Sequence, residues 1–205
     1  RAAGSDGSVV RSNGAILGDV ARDKIIEAVT FDAGPVRERL NELVPGAVFA
    51  VEDVHGVFYT THMFSTGPLG LRIEEVSFED LANEPVVRLV MRSNRHTEEA
   101  FGEAAAQLGF HQVVYGVADV AWMDVGPHDV TKASMLQQVC SRKGMRADRV
   151  VAIGDNWNDV PMLEWAGLGV AMGQAVPEIQ SKADLITLDE PGDGVAIVLE
   201  AIALG

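Results

Sequence analysis

The chain has one cysteine, Cys140, two tyrosines and three tryptophans in 205 residues. A single thiol rules out an intrachain disulfide, so nothing points to an oxidising compartment. Cys140 falls in an apolar-periodic stretch and reads as a small buried apolar group rather than a nucleophile, since no partner base can be named for it. No uninterrupted apolar run approaches the ~20 residues of a membrane span. The segment Arg1-Ala2-Ala3-Gly4-Ser5-Asp6-Gly7 has no apolar core of the kind a signal peptide carries, so a cytoplasmic location is expected. Basic residues are also scarce: 16 Lys and Arg stand against 30 Asp and Glu, for a net charge of −14. That balance argues against a nucleic-acid or anionic-membrane partner. A small anionic substrate remains compatible if a metal or a few placed cations reverse the field locally.

What is present is the composition of a globular chain, 47% hydrophobic and 22% charged, long enough for one large domain or two small ones. From about residue 120 short apolar runs alternate with amphipathic ones. Strands are expected at 120–125, 150–153, 168–172 and 185–188. Helices are expected at 132–143, 159–166, 177–182 and 194–204. Thr131 or Asp129 is available to cap the first helix and Gly144 to end it. Apolar strands alternating with helices indicate a parallel sheet covered on both faces. Residues 19–119 have a different character, with strand candidates at 47–51, 57–60, 86–91 and 113–117 and a helix over 97–108. The first two strands are separated by Glu52-Asp53-Val54-His55-Gly56, a hairpin connection. This reads as a separate α+β module with an antiparallel sheet.

The densest chemistry lies in Asp155-Asn156-Trp157-Asn158-Asp159, directly after the apolar run Val150-Val151-Ala152-Ile153. Parallel α/β sheets bind ligands at the C-terminal ends of their strands, and the start of the next helix favours phosphate. The Asp155 carboxylate suits Mg²⁺, which is often held by one or two carboxylates plus phosphate. Lys132 opens the preceding helix, and a helix returning into the next parallel strand brings the two to one edge. Its ammonium would neutralise phosphate oxygens as a point charge. The same residues could serve only as a helix cap. A calcium-binding EF-hand loop is excluded. Counted from Asp155, its third, sixth and twelfth positions fall on Trp157, Val160 and Ala166, where oxygen ligands and glycine are needed. The five histidines show no metal-binding spacing, and only His128 falls near the predicted site. Trp122 and Trp165 read as packing residues, whereas Trp157 sits within the ligand turn. Arg88, Arg92 and Arg95 are candidates for a second anionic group of a substrate.

Lys132-Ala133-Ser134-Met135-Leu136 and Gly154-Asp155-Asn156-Trp157-Asn158-Asp159-Val160-Pro161-Met162-Leu163 resemble the third and fourth motifs of the haloacid dehalogenase (HAD) superfamily. The stretches Gly169–Ala175, Lys182-Ala183-Asp184 and Asp193-Gly194-Val195-Ala196 are similar to the Cof-type (subclass IIB) sugar-phosphate phosphatases of that superfamily. Arg11-Ser12-Asn13-Gly14-Ala15 resembles the segment that precedes their cap. The resemblance implies an α/β fold, with a Rossmann-type parallel core at 1–18 and 120–205 and an α/β cap at 19–119. It implies Asp155 as a Mg²⁺ ligand and catalytic residue. Asn158 would hydrogen-bond the phosphate, and Lys132 would bind it and steady the nucleophile. Asp159 would be counted at the metal, acting mainly by orienting Lys132 or a metal-bound water.

The implied activity is Mg²⁺-dependent hydrolysis of a small phosphorylated metabolite by a monomer or homodimer. The family's opening Asp-x-Asp-Gly-Thr motif, with the attacking Asp, and its second Ser/Thr motif have no counterpart in these residues. Ser5-Asp6-Gly7-Ser8 echoes the first of them only superficially, with no apolar strand before it. The nucleophile is therefore expected outside the chain, which is read as lacking an N-terminal segment. Two other readings are a non-catalytic relative that binds a phosphorylated metabolite or a protein partner, and an enzyme moving phosphoryl groups within a sugar.

Overall fold

The computed structural model describes residues 7–63, 72–108, 111–117, 120–188 and 193–204. Ser5 and Asp6, part of the faint echo of a nucleophile motif, lie outside them. The chain divides into two compact units, Arg1–Val130 and Thr131–Gly205. Together they make a mixed α/β protein with both parallel and antiparallel pairing.

The first unit opens with a three-stranded antiparallel sheet: β1 (Ser8–Arg11), β2 (Ile16–Asp19) and β3 (Lys24–Ala28). Helix α1 (Gly34–Leu43) follows, with Pro35 in its first turn, where its missing N–H costs nothing. The strands β4 (Val48–Glu52), β5 (Phe58–Thr60), β6 (Ile73–Glu75), β7 (Arg88–Ser93), β8 (His111–Val117) and β9 (Val120–Gly126) form one sheet in the order β6-β5-β4-β7-β9-β8. Helix α2 (Glu98–Ala105) lies between β7 and β8 in sequence, and the Thr97 side chain caps it by accepting from the Ala100 N–H.

Alternation along the strands sorts the two faces of this sheet. Phe49, Val51, Leu89, Met91, Ala121, Met123 and Val125 are buried with Val36 and Leu40 of α1 and Phe101 and Ala104 of α2 in one apolar cluster. The opposite face carries Ala50, Phe58 and Val90, then the charged Glu52, Arg88 and Asp124.

The hairpin expected across residues 52–56 is observed as the antiparallel β4–β5 pair, and the sheet is antiparallel except where β5 meets β6. One expectation fails. The strand at 120–125, grouped by its sequence with the later parallel strands, instead pairs antiparallel with β7 and β8. Its run is nearly continuous in apolar character because Trp122 stands on the open face, which hides the alternation a half-covered strand normally shows.

The second unit contains α3 (Lys132–Arg142), β10 (Val151–Gly154), α4 (Val160–Trp165), β11 (Leu168–Ala171), α5 (Pro177–Gln180), β12 (Leu185–Ile186) and α6 (Asp193–Leu204). Its strands pair in parallel in the order β10-β11-β12, as the alternating pattern predicts. Ala152, Leu163, Ala175 and Ile179 form its small buried cluster. No described helix is long and apolar enough to cross a membrane.

Candidate active site at the end of β10

Strand β10 ends at Gly154, and the chain turns at once through Asp155 and Asn156 into a short 3₁₀ turn, Trp157–Asp159, that leads into α4. Asp159 organises this turn. Its Oδ2 accepts hydrogen bonds from the backbone N–H groups of Asp155 and Asn156, each at 3.1 Å. Its Oδ1 accepts from Lys132 Nζ at 2.5 Å. The side chain is only 6% exposed, so burial in a low dielectric strengthens a pairing that would be worth little on the surface. The Asn156 side chain accepts from the Trp157 N–H at 2.7 Å, completing a reciprocal cap with Asp159.

Two local features make this arrangement possible. Gly154 lies so close to Asp159 that a Cβ there would sit 2.4 Å from the Asp159 Cβ, so only glycine fits. Lys132 is the first residue of α3, fixed by the capping box in which Thr131 Oγ1 accepts from the Ser134 N–H and Ser134 Oγ accepts from the Thr131 N–H. Lys132 pairs directly with Asp159, the residue the resemblance implies as its orienting partner, and the same carboxylate holds the Asp155 backbone.

Asp155 is exposed, and among the described residues its carboxylate meets a long contact from Gln174 Nε2, at 3.5 Å. Gln174 follows β11 within the Gly169–Ala175 stretch but takes no role from sequence alone, and its approach to Asp155 becomes visible only once β10 and β11 are paired. Asn158 is half-buried within the turn, and Trp157 is 43% exposed beside it. No three histidine, cysteine or carboxylate side chains among the described residues gather into a metal-binding group. A single accessible carboxylate at a strand end nonetheless suits a cation that is often held by one or two carboxylates and otherwise by phosphate and water.

The other residues singled out by sequence fall elsewhere. His128 is exposed beside Asp129, and Cys140 is buried. Arg88 is engaged by Glu52 and Asp124. Arg95 is exposed, and the partial burial of Arg92 lowers its pKa from the usual arginine value, although a guanidinium stays charged.

Comparison with known proteins identifies a family. A haloacid dehalogenase-like hydrolase family matches residues 2–199. The stress response protein YhaX of Bacillus subtilis is 47% identical over 78 residues, which are 38% of this chain and 27% of that protein. The 5-amino-6-(5-phospho-D-ribitylamino)uracil phosphatase YcsE of the same species is 40% identical over 74 residues, 36% of this chain and 30% of its own length. The matched segments thus span about a third or less of these relatives. A solved HAD subclass IIB sugar phosphatase superposes with a TM-score of 0.78 over 97% of this chain and 76% of its own; at 21% sequence identity the likeness is one of fold. With a family match over nearly its whole length and the Lys132–Asp159 turn in place, the chain belongs to the haloacid dehalogenase-like hydrolases.

Proposed function

We propose that the protein to which this chain belongs is a phosphatase that hydrolyses a small phosphomonoester with Mg²⁺, and that the turn after β10 is one wall of its active site. The observation that carries this reading is the double engagement of Asp159. One oxygen fixes Lys132 and the other fixes the backbone that presents Asp155. Lys132 binds phosphate oxygens as a point charge, and Asn158 donates a hydrogen bond to the same group. Asp155 is the residue that would hold Mg²⁺, which supplies charge neutralisation on the transferred phosphoryl group when bound. Both oxygens of Asp159 are already engaged, so we assign it the positioning role rather than a metal contact.

The attacking carboxylate is proposed to come from outside these 205 residues. Its oxygen bonds to phosphorus as the ester P–O bond breaks, and the departing alkoxide takes up a proton from solvent that the water of the second step gives back. Water then cleaves the acyl phosphate, freeing inorganic phosphate and restoring the carboxylate. The core and cap are proposed to divide near residue 130, later than the sequence suggests, because β9 belongs to the six-stranded sheet. In this reading the parallel unit 131–205 is core and the six-stranded sheet is cap.

Phosphate release from a panel of sugar phosphates by the full-length protein, with Mg²⁺ and with a chelator, tests the reading. Turnover that needs the metal and is lost on Asp155→Ala is the expected result. Metabolite binding without turnover would instead support the non-catalytic reading.

A further inference from the structure

In the sheet unit, Ser12 and Asn13 are consecutive non-glycine residues in the left-handed region, at φ 51° and 55°, followed by Gly14 at φ 108°. A single residue of this kind is uncommon, and two in succession persist only where surrounding contacts impose them. Those contacts are visible. Ser12 Oγ donates to Glu52 Oε1 at 2.8 Å, and Asn13 Nδ2 donates to Asp124 Oδ2 at 3.1 Å.

Both carboxylates are nearly sealed from solvent, at 7% and 4% exposure, and Arg88 bridges them. Its Nε and Nη2 reach Glu52 Oε2 at 2.9 and 2.8 Å, and its Nη1 reaches Asp124 Oδ2 at 3.3 Å. Trp122 Nε1 donates to the remaining Asp124 oxygen at 3.0 Å, and the Arg88 guanidinium lies over the Phe58 ring, 5.2 Å from its centroid.

We infer that Glu52, Arg88 and Asp124 are positioning residues whose task is to hold the Ser12–Asn13 turn in its left-handed conformation. Sheet stability alone does not account for them. Buried ion clusters of this kind are commonly no better than well-packed apolar side chains, and β4, β7 and β9 already pair through their backbones. What apolar residues could not do is accept hydrogen bonds from Ser12 and Asn13. Arg88 holds the two carboxylates in place, and each directs an oxygen at one residue of the turn. The arrangement also removes Arg88 from the candidates for binding a second substrate anion, since its guanidinium already serves two carboxylates.

The test uses the full-length protein and amide hydrogen exchange. The Ala15 N–H closes the turn by donating to Ser12 O at 3.1 Å and reports on it directly. Asp124→Ala is expected to speed exchange at Ala15 about tenfold or more while Ala50 and Val90 in the sheet centre stay protected, and Asp124→Asn is expected to restore most of that protection. Ser12→Ala, which removes no charged group, is expected to act in the same direction if Asp124→Ala does not fold. Exchange rising equally across β4, β7 and β9, or unchanged at Ala15, would overturn the inference.

Discussion

Asp159 carries more of the site than its neighbours, because it serves a buried ammonium and two backbone amides at once. Asp159→Ala is expected to strand Lys132 and release the turn, lowering stability by roughly 2–4 kcal/mol, the range for breaking a mostly buried charged pair; chemical denaturation measures it. Lys132→Ala should cost less stability, because Asp159 keeps its two backbone donors, yet lower phosphatase kcat about a hundredfold or more. Gly154→Ala forces a Cβ into the Asp159 side chain, so a loss of about 1–3 kcal/mol together with most of the activity is expected. These residues were legible in the sequence as a cluster of oxygen donors beside a lysine. Their division of labour came only with the family resemblance, because spacing alone cannot say which carboxylate the lysine meets. That depends on how the turn folds back on β10.

At the scale of elements, the helices and strands of residues 131–204 follow their sequence signals closely. Thr131 caps α3 as expected, Gly144 follows its end at φ 64°, and β10 and β11 are short apolar runs. Thr131→Ala should therefore destabilise the protein by about 1 kcal/mol and loosen Lys132, visible as a lower Tm and a raised KM. The earlier region was harder to read. Helix α1 has mostly polar residues on its exposed side, and β1 to β3 are short, with exposed ends. Such elements are defined by tertiary pairing more than by local pattern. β9 shows the same limit from the other side: a strong strand signal, correctly placed, whose partners lie far away in sequence. Phe101→Ala, which empties the centre of the helix-covered face of that sheet, is expected to cost about 3–5 kcal/mol by denaturant unfolding.

For the molecule as a whole, the acidic balance and the proposed chemistry pull in opposite directions. Residues 1–205 carry a net charge of −14, while the proposed substrate is an anion. Lys132 and a bound cation would have to reverse that field over a few ångströms, and salt should help by screening the rest. Activity on a phosphomonoester is accordingly expected to hold or rise between low and physiological ionic strength, and to vanish with a chelator.

The proposal that the turn after β10 is a metal-assisted phosphoryl-transfer site is tested most directly by kcat for phosphate release by the full-length protein in Mg²⁺, wild type against Asp155→Asn. This change keeps the side chain's size and removes its charge. A fall of about a hundredfold or more, with folding intact, is the predicted result. An Asp155→Asn enzyme that turns over at the wild-type rate would contradict it.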